Sequence, residues 1–562
     1  MTTKDHIKLG TARLEKGEYD EAIAEFTKVI LGILPSFADA HYKRSLAYMH
    51  KGEYDLAIAD ATKAIEANPN HAEAYYNRGI AHQKKKQYQL TIDDFSKAIE
   101  INPDYAEAYY NRGIAYRNQS EYEMAIIDFS RTIGLNNASF EAYYHRGVTY
   151  YDNGEYDLAI ADATKAIQIN PNYAEAYYTR SFAYQRKEQA ELAIADFDKA
   201  VELNPHYAEG YRNRGIAYCD RGEYQLAIRD FNKAIGLAYS DAQTHYYRGL
   251  AYRKIGETEK AIADSTKAIE LDRDYAEAYC NRGIAYQSKE QYELAIDDFS
   301  KAVELNPDYA EAYCHRGIAY RKREEYEAAI TDLTRAVELE PDCAEAYYNR
   351  GFAYHNRGEY DLAIDDFSRA IELKPEMPEA YYDRGIIYYL RNEHELAIAD
   401  LSKAIELNPN MAVAYYTRGM SHFNKRNYEL AIADFSKAIE LNPNMALAYY
   451  RRGIAYRTRG KNDLAIADFT ETLKMRPKDV NAYTERSIAY RNKKEYDLAM
   501  ADLTKAIELE PDSAAAYYMR ALVHKDKKKS DLAIADFRKV ALLTKDPELV
   551  NTVKQEIQNL GG

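Results

Sequence analysis

Residues 72–105 read AEAYYNRGIAHQKKKQYQLTIDDFSKAIEINPDY, and this stretch decides the fold because the rest of the chain repeats it. The same 34 residues return with few changes at Ala106, Ala276, Ala310 and Ala344. Looser copies fill residues 3–547 as sixteen units: 3–37, 38–71, and then every 34 residues to 514–547. A period of this length means that one small unit stacks on copies of itself, so the 562 residues are expected to form one elongated array and not three or four globular domains.

Numbered 1 to 34 from Ala72, each unit carries its aromatic, small and apolar residues at positions 4, 8 and 11 and again at 20, 24 and 27. Steps of three and four mark two amphipathic helices. The spacing predicts helix A over positions 2–14, a turn at 15–17 and helix B over 18–31. Position 8 is small in every unit, from Gly10 to Ala521, and position 20 is Ala in all but one, where Thr91 stands. Of the 14 Pro, 11 fall at position 32, where they stop helix B.

This pattern resembles the tetratricopeptide repeat (TPR) family, whose motif sets an aromatic at 4, Leu at 7, Gly at 8, Tyr at 11, Ala at 20, Phe at 24, Ala at 27 and Pro at 32. In the ninth unit those positions are Tyr279, Arg282, Gly283, Tyr286, Ala295, Phe299, Ala302 and Pro307. The resemblance implies an all-α, right-handed superhelix of helix-turn-helix repeats, with a concave groove lined mainly by the A helices. One departure is systematic. Position 7 is Arg in units 2–16, from Arg44 to Arg520, and position 23 is Asp in the same fifteen, from Asp60 to Asp536. A buried Arg needs a partner, and a hairpin turning at 15–17 brings 7 near 24, so the two rows are expected to pair within a repeat or between neighbours.

The array is expected to be capped. The first unit is atypical, with His6 at the aromatic position and an extra residue near Pro35. After the last unit, Asp546 and Pro547 read as the start of a helix whose apolar stripe is Leu549, Val550, Val553, Ile557 and Leu560. Residues 548–562 are therefore expected to be a solvating helix and tail. The weakest unit should be the eighth, residues 242–275, where Ser265 replaces Phe, Thr258 the turn Tyr and Arg273 the Pro.

A net charge of -15 opposes a general polyanion partner. The opening MTTKDHIKLG lacks the apolar core of a secretory signal, and no segment approaches the roughly 18 apolar residues of a membrane span; the expectation is a cytoplasmic protein without membrane insertion. Four Cys are too few for a disulfide framework, and Cys280 and Cys314 sit at equivalent sites of successive units, on helices expected about 8–10 Å apart; free thiols are the expectation. Nothing interrupts the repeat with a GxxxxGK[ST], HExxH, CxxC or GxSxG motif. The 13 His are scattered, with His82, His422 and His524 standing at the core position 11. No enzymatic activity, cofactor or metal is expected.

Function is then read from one face of helix A, positions 2, 5, 6, 9, 12 and 13. Position 5 supplies Tyr76, Tyr110, Tyr144, Tyr178, Tyr348, Tyr382, Tyr416 and Tyr450, and position 9 aliphatic residues such as Ile80, Ile114 and Ile454. Position 6 supplies Asn77, Asn111, Asn281 and Asn349, and position 12 Arg117, Arg321 and Arg457. These are the candidate ligand-binding residues, with phenols and branched aliphatics providing contacts favoured at protein interfaces. Position 2 should form an acidic rim, and positions 12–14 a basic one. In units 13–16 the acidic rim gives way to Val413, Leu447, Asn481 and Ala515, which marks the carboxyl-terminal quarter as a candidate binding segment. TPR proteins that hold the acidic tails of chaperones use Lys at 5, Asn at 9 and Lys at 2; here Tyr, an aliphatic residue and Glu occupy those sites, so that clamp is absent. The reading is a non-enzymatic scaffold or adaptor that holds a protein or an extended peptide. Two alternatives are a single-stranded nucleic-acid binder, with Tyr stacking on bases, and an accessory or regulatory subunit of an enzyme encoded elsewhere.

Overall fold

The computed structural model describes residues 2–32 and 37–561. Among these are thirty-three α-helices and no strand: sixteen A/B pairs, one per repeat, and a last helix at Pro547–Asn559. The extra residue expected near Pro35 lies outside the described residues. The chain divides into two compact units, Met1–Ala285 and Tyr286–Gly562, the division falling inside the A helix of repeat 9, Ala276–Ser288. Within each unit successive helices pack on one another, and most A helices also touch the A helix of the following repeat.

In repeat 3 helix A spans Ala72–Lys84 and helix B Tyr88–Ile101. These are positions 1–13 and 17–30, one residue earlier than the spacing predicts, and the turn is the reason. Position 15 is left-handed in all sixteen repeats, with φ between 55 and 81°. That conformation lets the Lys86 amide donate to the Gln83 carbonyl at 2.9 Å and the Gln87 amide to His82 at 3.0 Å. The doubled closure satisfies the last carbonyls of helix A, and Tyr88 becomes the first residue of helix B. Seven of the sixteen left-handed residues are Gly; the other nine, among them Lys86, Glu290 and Glu324, carry side chains. A Cβ in this region costs on the order of 1–2 kcal/mol, and the extra freedom of Gly in the unfolded chain takes back part of that. Glu324→Gly is therefore expected to raise stability by about 1 kcal/mol, seen as a higher urea midpoint. A lower midpoint would mean that the Glu324 side chain holds the turn.

The other end of the hairpin follows from Pro at 32. Asn102, ahead of Pro103, is extended at φ -127° and ψ 92°, as a residue preceding proline must be. Its side chain accepts from the Asp104 amide at 3.2 Å.

Small residues at position 8 set how closely the two helices approach. A Cβ placed on Gly79 would meet Phe95 Cε1 at 2.7 Å, and one on Gly317 would meet Leu333 Cγ at 2.6 Å. The position-24 side chain thus fills the space that the missing methyl leaves, and Phe95, Phe129 and Leu333 are fully buried.

The position-7 arginines are part of this core. Arg112 grips the Asp128 carboxylate of its own repeat with Nε at 2.7 Å and Nη2 at 2.8 Å. Its Nη1 reaches Ser96 Oγ of the preceding repeat at 2.9 Å. The guanidinium lies 5.7 Å from the ring centroids of both Tyr109 and Tyr116. The pattern recurs at Arg78 with Asp94 and Thr62, and at Arg316 with Asp332 and Ser300. The ion pair is thus internal to a repeat, and the third donor ties that repeat to its neighbour. Burial pushes the carboxyls of Asp128, Asp366 and Asp468 up despite the arginine. At Asp60 and Asp264 burial acts the same way, but hydrogen bonds from the arginine and from His41 or His245 outweigh it and hold the carboxyl low.

Repeat 8 bridges its missing Phe with polar contacts. Ser265 is fully buried and accepts from Asn281 Nδ2 at 2.8 Å. His245 stands between Asp264, at 3.1 Å, and Ser240 Oγ, at 2.8 Å. At the far end Asp546 caps the last helix by accepting from the Glu548 amide at 2.9 Å, and Leu549, Val553, Ile557 and Leu560 pack against repeat 16.

Candidate binding surface

The position-5 tyrosines do not stand free on the A-helix face. Where position 24 carries a ring, the tyrosine leans on it: Tyr76 lies 5.5 Å from Phe95, Tyr110 6.0 Å from Phe129, Tyr348 5.8 Å from Phe367, Tyr416 5.8 Å from Phe435 and Tyr450 6.0 Å from Phe469; for Tyr144 and Tyr382 the position holds Ala163 and Leu401. In the first unit a second ring at position 34 closes over them, as Tyr105 does on Tyr76 at 4.9 Å, Tyr173 on Tyr144 at 5.0 Å and Tyr207 on Tyr178 at 4.7 Å. In the second unit Met stands at that position, Met411 packing on the same buried cluster as Tyr382 and Met445 on the same one as Tyr416, an adaptable side chain of the kind that fills irregular gaps. The hydroxyls reach position 6 of the next repeat: Asn111 Nδ2 donates to the Tyr76 oxygen at 3.0 Å, Asn213 donates to Tyr178, and the Tyr348 hydroxyl donates to Asp383 at 2.9 Å. Burial raises these phenols, Tyr76, Tyr110 and Tyr450 to about 12. The row is half-buried.

The other expected contact residues are also held. Asn77, Asn281 and Asn349, expected to face a ligand, are buried instead. Asn77 donates to Ser45 at 2.6 Å, Asn349 to the Glu345 carbonyl at 2.7 Å, and Asn281 to Ser265 while accepting from Arg253 at 2.6 Å. Position 6 points at the interface between repeats, where an amide satisfies whatever the neighbour leaves. The position-12 arginines are taken by the repeat that follows. Arg117 pairs with Asp152 at 3.3 Å, Arg457 with Glu485 at 2.8 Å and Arg491 with Asp526 at 2.6 Å, and Arg321 stacks 4.7 Å over the Phe352 ring. Position 14 is paired too, with position 18 of the repeat before: Arg391 with Asp361 at 2.6 Å, Lys425 with Glu395 at 2.7 Å and Lys493 with Asp463 at 2.6 Å. The basic rim expected from the sequence is thus largely spent on ion pairs between repeats.

Position 2 remains open. Glu73, Glu311, Glu345 and Glu379 are exposed there, and in repeats 13 and 14 their places are held by Val413 and Leu447, each 43% exposed. Leu390, at position 13 of repeat 12, adds a third exposed apolar side chain. A second apolar row runs along the B helices at position 19, with Leu362, Leu396, Leu430 and Leu464 about half exposed. Its signal in the sequence is an apolar residue one step before the Ala of position 20, which reads as the edge of the buried stripe. Among the described residues no cluster of His, Cys, Asp and Glu is placed to hold a metal ion, and no helix is long and apolar enough to cross a membrane.

Tetratricopeptide repeat models match residues 7–72, 72–105, 95–127, 140–173, 174–207, 276–309, 314–378, 378–411, 412–445, 450–508 and 484–548, and a TPR repeat model matches 249–290. The chain belongs to the tetratricopeptide repeat family. No curated protein matches it. Among solved structures this TPR chain is similar to MamA, at 32% identity over 29% of this chain and 96% of that one, with a TM-score of 0.28. It is similar also to YrrB, a TPR protein with an unusual peptide-binding site, at 27% identity over 33% and 95%, TM-score 0.29. The APC/C hetero-tetramer Cut9–Hcn1 aligns at 16% identity over 87% of this chain and 96% of that one, TM-score 0.34.

Proposed function

We propose that this TPR array is a non-enzymatic interaction scaffold, and that its second unit holds an extended peptide of a partner protein against the A helices of repeats 12–15. The observation that carries this reading is the exposure of Val413 and Leu447 at the A-face position that is acidic in most of the preceding repeats. Beside them lie the half-buried rings of Tyr382, Tyr416 and Tyr450 and the aliphatic Ile386 and Ile454. Half-buried, rigid aromatic rings next to open aliphatic side chains give a peptide apolar area at little entropic cost. Arg451, which stacks 5.8 Å over Tyr450, supplies a cation for an acceptor group on the ligand. Pairing of Arg117, Arg457 and Arg491 with carboxylates of the next repeat weighs against a single-stranded nucleic acid, whose phosphates need an unpaired cationic track.

The test restores the acid. Peptides selected from a displayed library against the full chain are expected to carry apolar side chains, and Val413→Glu with Leu447→Glu should weaken them roughly tenfold or more, the loss of about 1–2 kcal/mol of apolar burial. Because both residues are exposed, the melting temperature should hold. Unchanged affinity in the folded double variant moves the binding face elsewhere, with the position-19 leucines next in line.

A further inference from the structure

Repeat 10 breaks the rule of paired rings. Positions 5 and 34, which carry Tyr76 with Tyr105, Tyr144 with Tyr173 and Tyr178 with Tyr207 in contact at 4.7 to 5.0 Å, are both Cys here, Cys314 and Cys343. The register that sets one phenol against another therefore brings two thiols together, and Cys343 packs against the buried cluster that holds Cys314. From the sequence, Cys314 is naturally compared with Cys280 one repeat away; its partner is the residue 29 positions on, at the far end of its own unit. We infer that Cys314 and Cys343 form a peroxide-sensitive dithiol that closes to a disulfide within repeat 10.

The two sulfurs have different surroundings. Cys314 is 6% exposed on the A helix Ala310–Lys322. Cys343 is half-buried and is the cap residue of the next A helix, Ala344–Asn356. No side-chain cap bond closes on the Cys343 thiol. Its thiolate is favoured first by the Cys314 thiol and then by the Ala346 amide, which faces it at the helix N-terminus without closing a cap bond. These outweigh burial and the nearby Glu345 and Glu340, and bring the thiol down to about 6. The Cys314 thiol is pushed far up by the neighbouring Cys343 and by burial. Cys343 is thus the nucleophile and Cys314 the thiol that keeps its proton, the division of labour found in reactive dithiols.

The chemistry balances with hydrogen peroxide as oxidant. The Cys343 thiolate attacks one peroxide oxygen, the O–O bond breaks, and a sulfenic acid forms while hydroxide leaves and takes up a proton to become water. The Cys314 sulfur then attacks the sulfenic sulfur. The S–O bond breaks, the second water departs with the Cys314 proton, and the S–S bond forms. Two thiols and one peroxide become one disulfide and two waters. The bond joins the A helix of repeat 10 to the cap of the A helix of repeat 11, and so pins the junction between those repeats.

The experiment treats the full, reduced chain with a few equivalents of hydrogen peroxide and maps the products by non-reducing digestion and mass spectrometry. Expected is one disulfide, Cys314 to Cys343, formed at least tenfold faster than Cys219 or Cys280 is oxidised. Cys314→Ser should stop at a sulfenic acid on Cys343 that a dimedone probe captures, and Cys343→Ser should remove the fast reaction. Oxidation that begins at Cys219 or Cys280, or a Cys343 that runs on to sulfinic acid in the unaltered chain without forming the disulfide, overturns the inference. The reading stands apart from the peptide-binding proposal, since it needs no partner.

Discussion

Arg112→Ala is expected to destabilise the first unit by about 3–5 kcal/mol, the range for removing one partner of a buried ion pair. The loss has three parts. Asp128, 2% exposed, is left without either of its bidentate donors; Ser96 of the preceding repeat loses its guanidinium; and the Tyr109 and Tyr116 rings lose the plane packed between them. The cost has a ceiling, because the stranded carboxyl is already raised by burial and will take up a proton once the arginine has gone. Removing both charges should therefore recover most of the loss: Arg112→Leu with Asp128→Leu is expected to lie well above Arg112→Ala in a denaturant series. The decisive measurement is the double-mutant cycle. A single-variant loss below about 1 kcal/mol, the scale of an exposed pair, would mean that the clamp contributes little and that apolar packing alone carries the stacking of repeats. Since the third donor crosses to the neighbouring repeat, the variant should also lower the cooperativity of unfolding, because it weakens the coupling between repeats on which a stacked array depends.

What could be read in advance and what could not divides along the repeat boundary. Gly79 against Phe95 and Arg78 against Asp94 are relations inside one 34-residue unit, and sixteen copies make such pairings visible as a shared spacing. The roles of Asn77 and Arg117 are different in kind. Their partners, Ser45 and Asp152, sit in the neighbouring repeat, so the helix-face rule that grouped positions 6 and 12 with the open surface had no means of telling an interface between repeats from a surface facing a ligand. The one-residue error at the helix ends has a local cause. A left-handed residue at position 15 is easily read where it is Gly154 or Gly222, but nine repeats place Lys, Ser, Glu, Asn or Arg there, and the hydrogen-bonded closure imposes the conformation on them. Cys343 escaped for yet another reason. Position 34 is the last residue of the unit and looks like loop, although its side chain turns back to cover position 5, as Tyr105 does on Tyr76.

Asp383→Asn should stabilise the second unit by about 2–3 kcal/mol at pH 7 and by almost nothing near pH 3.5. Asp383 is 8% exposed at position 6 of repeat 12, where other repeats carry Asn77, Asn111 or Asn349. Burial pushes its carboxyl from 3.8 to about 6, against the hydrogen bond from Tyr348 and the attraction of Arg321, with Glu379 adding to the rise. The folded state therefore binds a proton that the unfolded chain has already released between these two values. The sign follows from that difference. Below the unfolded value both states are protonated and the group is neutral in its effect; as pH rises from about 4 toward 6 the folded state loses ground, and above 6 the penalty is complete. A rise of this size corresponds to roughly 3 kcal/mol, which sets the upper end of the expected gain. Asn keeps an oxygen to accept from the Tyr348 hydroxyl, as Asp383 does at 2.9 Å, and carries no charge to desolvate. The contrast with Glu485, the acid at the same position of repeat 15, is instructive: Arg457 of the repeat before lies 2.8 Å from it, whereas the equivalent residue of the repeat before Asp383 is His355, not an arginine. Unfolding midpoints of the two chains, followed from pH 3.5 to 8, should thus run together at the acid end and separate through the region of pH 4 to 6. Parallel curves with a constant offset would place the effect of the substitution in packing and remove the carboxyl's titration from the account.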